Sequence, residues 1–181
     1  DVVAAMGIAQ KINMVPMYVA MGISQGIMPL ISYNYASGNT DRMKKTVLFA
    51  GKASVGFLLV MAGIYYIFAG GLISLFMKNG SVVSYGTPFL RGMCFALPFM
   101  CLDFLAVGVF QACGMGTKAL IFAILRKIVL EIPALYLLNG LFPVYGLAYA
   151  QPLAEFVLAV AAIWNLVRIF RELGKKKQVG E

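Results

Sequence analysis

The sequence predicts an all-α fold: a polytopic helical membrane protein with five transmembrane helices. Three observations carry that expectation. The apolar share is 61% and the charged share 12%, where a soluble domain has about 45–50% and about 25%. Mean hydropathy is +0.86. Uncharged runs extend over Ile12–Thr40, Ala53–Met77 and Ile132–Ala154, each as long as the roughly 20 residues a helix needs to cross a bilayer. The lipid bilayer is therefore the first expected partner. A length of 181 residues suits one structural unit.

The elements follow from the breakers between apolar runs. A first helix is expected over about Ala4–Ala36, closed by the turn and cap residues Ser37-Gly38-Asn39-Thr40-Asp41. A second is expected over about Lys44–Phe68. Gly70-Gly71 then breaks the chain before a short interfacial helix, Leu72–Met77, and Lys78-Asn79-Gly80-Ser81 completes a longer connection. A third helix spans about Thr87–Cys113 and ends at Gly114-Met115-Gly116. A fourth spans about Thr117–Leu138 and closes at Asn139-Gly140 and Pro143. A fifth covers about Gly146–Phe170. Residues 1–171 form the transmembrane unit, and 172–181 a basic cytoplasmic tail.

Charge placement orients these spans. With Asp41–Lys45 placed inside, Lys118 and the Arg168–Lys177 segment also fall inside. The inner ends then hold Arg42, Lys44, Lys45, Lys118, Arg168, Arg171, Lys175, Lys176 and Lys177, whereas the outer loops hold Lys78, with Arg91 just within a helix. This is the positive-inside pattern. It predicts a multi-pass protein of the plasma (inner) membrane with a cytoplasmic C-terminus, and Trp164 beside Arg168 as an interfacial anchor. It also places Asp1 outside without a signal to carry it there, so an upstream span is expected and the chain reads as a fragment. The net charge of +8 is scattered among lipid-length segments, which argues against nucleic acid as a partner.

Composition narrows the chemistry. Histidine is absent, and Cys94, Cys101 and Cys113 lie in one apolar stretch without metal-ligand spacing. No metal and no cofactor is expected. No nucleophile–base pair is visible, so the chain is not read as an enzyme. Gly114-Met-Gly116-Thr-Lys118 lacks phosphate-loop spacing and reads as a turn.

The first helix carries the polar groups. Met14, Tyr18, Met21, Gln25, Met28, Ser32 and Tyr35 recur at helical spacing and lie along one face. Such a face of thioethers, phenols, an amide and a hydroxyl suits varied amphiphiles; it equally suits a packing seam. Gly22 and Gly26 allow close approach of another helix. Pro29 leaves the carbonyl of Gln25 without its helical donor, a hinge or a static kink beside Gln25 and Asn34.

The run Gly22-Ile-Ser-Gln25-Gly26 through Pro29-Leu-Ile-Ser-Tyr-Asn34-Tyr, with Asp41-Arg42 after it, resembles the multidrug and toxic compound extrusion (MATE) transporters. Phe110-Gln111-Ala112-Cys113-Gly114 with Lys118-Ala119 is similar to that family's Phe-Gln-Ala-x-Gly turn. Leu125-Arg126 with Ile132-Pro133, and Gly146, Ala148 and Gln151-Pro152-Leu153-Ala154-Glu155, resemble its last two helices. The resemblance implies a partial C-terminal lobe, five helices of a six-helix MATE lobe. It leaves the N-terminal lobe of the same parent chain as the missing partner. It also implies that the site of the coupling ion, H+ or Na+, lies in that absent lobe.

Asp103, Arg126, Lys127, Glu131 and Glu155 fall inside expected spans. Charges at such depth are costly and point to function. Lys127 and Glu131, four residues apart, suit a structural ion pair. Asp103 and Glu155 suit a proton carrier, a contact for a cationic substrate, or a pair with Arg126 or Lys127. The cavity candidates are thus Met21, Gln25, Met28, Ser32, Asn34, Tyr35, Asp103, Gln111 and Glu155, with Pro29 as hinge. The expected function is part of a secondary active efflux transporter: a cation-coupled antiporter exporting small organic cations or amphiphilic drugs by alternating access. The alternatives are a lipid-linked-sugar flippase of related architecture and a non-transporting membrane enzyme or assembly subunit.

Overall fold

The computed structural model of the chain describes residues 1–142 and 145–179, with the side chains of 147 and 176–179 outside that description. Among the described residues the fold is helical throughout, without strands. The elements are α1 (Val2–Ala36), α2 (Thr40–Phe76), α3 (Gly80–Cys94), α4 (Leu97–Ala112), α5 (Gly116–Ile124), a π-helical segment (Leu125–Glu131), α6 (Ile132–Leu141) and α7 (Gly146–Val179). Three of them, Val2–Ala36, Thr40–Phe76 and Ala148–Lys175 within α7, are long and apolar enough to cross a membrane. A fourth is added if α3 and α4 are one bent span.

Left-handed glycines close two of the turns. Gly38 has φ +72° and Gly114 φ +74°. At each, the next residue's N–H reaches back into the last helical turn: Asn39 N–H donates to Asn34 O at 2.9 Å and Met115 N–H to Phe110 O at 2.8 Å. This is the C-terminal stop that a residue without Cβ permits. Asn79 starts α3 by accepting from Ser81 N–H at 3.0 Å.

The helix boundaries depart from expectation in three places. Gly70-Gly71 does not break α2, which absorbs the expected interfacial helix; Ser74 Oγ donates to Gly71 O at 2.7 Å inside the continuous helix. The expected third helix starts earlier, at Gly80, and is two helices meeting at 48°. Pro98 explains the bend: its ring collides with the carbonyl four residues back, at Cys94, where α3 ends. Tightened bonds from Phe95 N–H to Gly92 O and from Ala96 N–H to Met93 O make the corner. The expected fourth helix is divided by the π-helical segment. Pro133 lacks the N–H that an α-helix would offer to Val129 O, and the widened turn lies just ahead of it. Residues 172–179 of the expected tail are the last turns of α7. Pro143 lies outside the described residues.

α1 packs on α2, α3 and α4; α7 packs on α3, α4 and α6. The core is built of small and apolar residues: Ala5, Ala9, Tyr65 and Phe89 at one end, Ile31, Met43, Val47 and Val109 at the other. The outside is apolar as well. Phe49 is 76% exposed and Tyr136 80%, as expected of a surface that meets hydrocarbon rather than water.

One contact fixes the α6–α7 corner. A Cβ added at Gly146 would collide with the carbonyl oxygen of Leu138, whose position is held by the bond it accepts from Phe142 N–H at 2.8 Å. Gly146→Ala is expected to destabilise the fold by about 3 kcal/mol, the upper end for overpacking, because backbone must move. A thermal midpoint in detergent equal to that of the unsubstituted chain would contradict this.

Candidate functional site

Two hydroxyls of α1 lock its rotation against α4. Ser24 Oγ donates to Phe104 O at 2.7 Å, and Ser32 Oγ donates to Ala112 O at 2.9 Å. The two pairs lie two turns apart along both helices. The helices approach closely there because Gly108 has no side chain; a Cβ would collide with Ser24 Oγ.

On the locked α4, Asp103 meets Arg126 from the π-helical segment, and Arg126 also meets Glu155 from α7. Arg126 Nη1 lies 3.4 Å from Asp103 Oδ2. Arg126 Nε donates to Glu155 Oε1 at 2.9 Å, and Nη2 lies 2.9 Å from the same oxygen. The guanidinium sits 4.5 Å from the ring centre of Phe104, close enough for cation–π attraction. Asp103 and Glu155 are each 1% exposed. Their second oxygens, Asp103 Oδ1 and Glu155 Oε2, have no hydrogen-bond partner among the described residues. One guanidinium therefore serves two carboxyl groups. With both ionised, the cluster holds one negative charge in excess, at a depth where an uncompensated charge is strongly disfavoured. A bound monovalent cation would balance it.

Lys127 and Glu131, on the same segment, form their own pair at 2.7 Å and point outward, with the lysine side chain 65% exposed.

The remaining candidates separate. Met21, Gln25 and Tyr35 are exposed along α1, and Met28 is half-buried beside them. Ser32 is committed to Ala112 O. Pro29 is exposed, and α1 runs through it as one helix. Asn34 is not on this row: it is fully buried, its Nδ2 donating to Leu30 O at 2.7 Å and its Oδ1 without a partner. Gln111 does not share the Asp103 face. It is exposed while Asp103 is buried, because eight residues at about 100° each leave the two about 80° apart. The structure thus joins Asp103 and Glu155 through Arg126 and leaves the α1 row as a separate open face. Sequence reasoning passed over Ser24 and Phe104. Their signal was faint: a small hydroxyl one turn before Met28, and an aromatic beside an acid.

The chain matches the family description MatE over residues 1–137. It is similar to the multidrug export protein MepA of Staphylococcus saprophyticus subsp. saprophyticus, 32% identical over 161 residues, covering 89% of this chain and 35% of that protein. It is similar also to the multidrug export protein MepA of Staphylococcus aureus, 34% identical over 162 residues at the same coverage. The chain thus spans 35% of the length of these relatives. Among solved structures, an outward-facing conformation of a multidrug resistance MATE family transporter of the MOP superfamily matches with a TM-score of 0.90. That match covers 96% of this chain and 39% of the other at 21% identity, a likeness of fold.

Proposed function

Because this chain belongs to the MatE family, we propose that it forms most of the C-terminal lobe of a secondary active multidrug efflux transporter. The protein would sit in the inner membrane with its C-terminus cytoplasmic, exchanging H+ or Na+ for organic cations or amphiphilic drugs. The observation that carries the reading is the excess carboxylate at Asp103–Arg126–Glu155. A cation entering there neutralises the cluster, and the neutral cluster is cheaper to bury than the charged one. Occupancy then shifts the balance between a state in which the cluster is enclosed and one in which it is hydrated, which is what coupling requires. The coupling site of the absent N-terminal lobe would work alongside it.

The exposed α1 row supplies the other half of the proposal. Met21, Gln25, Met28 and Tyr35 form a soft wall with one amide and one phenol, suited to partners of varied shape. The missing lobe would face it and complete the cavity. A lipid-linked-sugar flippase would need cationic side chains for pyrophosphate on the wall facing the other lobe, and the α1 row of Met21, Gln25, Met28, Ser32 and Tyr35 carries none. Reconstituting the full-length parent in vesicles tests the reading. A fluorescent organic cation is expected to accumulate only when an H+ or Na+ gradient is imposed. Accumulation indifferent to both gradients, or gradient-independent hydrolysis of a substrate, would overturn it.

A further inference from the structure

A second feature lies outside this cluster. α2 and α7 barely touch, and the gap between them, floored by Leu102 and Leu105 of α4, is a groove of 910 Å³. Its walls are apolar over most of their length. Three basic side chains, Lys44, Lys52 and Arg171, also line it, and among the described residues no Asp or Glu does. Asp41, the acid nearest Lys44 in sequence, lies outside the lining, and Glu172 is bonded to Arg168 on the exposed side of α7. Lys44 and Arg171 belong to the same end: Leu166, Phe170 and Leu173 of α7 pack on the buried cluster of α1, α2 and α4 residues that includes Met43 and Val47.

The geometry divides the groove into a head and a tail. From Lys44 to Leu59 the helix rises about 22 Å, about one and a half times the roughly 15 Å of one hydrocarbon leaflet. Lys52 stands about 12 Å above Lys44, within a span. Its long stem can turn the ammonium back toward the basic end, where Lys44 and Arg171 repel it unless an anion intervenes. Beyond Lys52, Gly56 contributes no side chain, and a Cβ there would meet nothing within 4 Å. The upper groove is therefore open and apolar. Three cations toward one end of an apolar channel long enough for an acyl chain match a molecule with an anionic head and a hydrocarbon tail.

We propose that the α2–α4–α7 groove holds one anionic phospholipid, its phosphate held by Lys44, Lys52 and Arg171 and an acyl chain lying along Gly56, Leu59 and Leu102. The site is distinct from the acid-rich cluster and repels the cationic molecules that cluster attracts. A lipid seated here fills the seam between α2 and α7.

Trp164, the one tryptophan of this sequence, reports on the groove. It is 68% exposed beside the lining residue Ile163. The full-length parent, with any other tryptophan replaced by phenylalanine, is reconstituted in phosphatidylcholine vesicles containing either brominated phosphatidylglycerol or brominated phosphatidylcholine. Half-maximal quenching is expected at an at least threefold lower mole fraction of the anionic lipid. The combined variant Lys44→Gln, Lys52→Gln, Arg171→Gln is expected to abolish that preference. Gly56→Leu, which fills the tail channel without touching the cations, is expected to weaken quenching by the anionic lipid. Equal quenching by the two lipids in the unsubstituted protein would overturn the proposal. So would a preference that survives the triple substitution, or shielding from both lipids by another segment of the parent.

Discussion

Arg126→Met is expected to lower stability by about 3–5 kcal/mol, the cost of stranding buried charges when their partner is removed. The size follows from the geometry. The guanidinium contacts Asp103 Oδ2 at 3.4 Å and Glu155 Oε1 at 2.9 Å, and both acids are sealed from solvent. Methionine keeps the volume and the contact with Phe104 but leaves two carboxyl groups with no cation. Adding Glu155→Gln and Asp103→Asn to Arg126→Met is expected to restore most of the loss, since an uncharged cluster has nothing to strand. The energies will not add, because the three side chains share one network. Unfolding free energies in a detergent titration measure this. A single Arg126→Met variant as stable as the unsubstituted chain would show that the cluster does not hold α4, the π-helical segment and α7 together.

Glu155→Gln in the full-length parent is expected to behave oppositely: little loss of stability, and at least a tenfold loss of gradient-driven export. Glutamine preserves shape and still offers Arg126 an oxygen. It removes the excess negative charge, so a cation arriving at the cluster finds nothing to neutralise. Efflux of a fluorescent cation from energised vesicles, normalised to protein inserted, measures it. Export at the unsubstituted rate would exclude Glu155 from coupling. A parallel fall in insertion would reassign it to a structural role.

Much of the architecture was legible because lipid-length runs and left-handed turn glycines leave marks in the sequence. Ser37-Gly38-Asn39 and Gly114 stop helices in water or lipid alike, since the stop depends on φ and on backbone bonds. Gly70-Gly71 misled because glycine breaks helices chiefly where water competes for the backbone; inside an apolar helix those bonds have no competitor. The bend at Phe95–Ala96 was readable from Pro98 and its reach to Cys94, had that run not been taken as one helix. The charged cluster was legible as residues but not as an arrangement. Asp103, Arg126 and Glu155 announced themselves by charge in apolar runs, yet which would pair depended on how α4, the π-helical segment and α7 pack. Lys52 escaped notice because its neighbours in sequence are unremarkable; its meaning comes from Lys44 and Arg171 across the groove.

The π-helical segment has a consequence for phase. At about 100° per residue, a continuous α-helix would leave Ala134 about 120° around from Phe122; the extra residue of a π turn brings it back to within about 20°. Both side chains are buried, so the widened turn is what lets the halves of this span present one face to the bundle. Losing a single residue between Leu125 and Glu131 would let the widened turn close into ordinary α-helix with the two halves still in step, whereas gaining one would rotate one half away from the other. Homologues one residue shorter here are therefore expected to carry an unbroken α-helix in place of the widened turn, with the positions of Phe122 and Ala134 still facing the bundle.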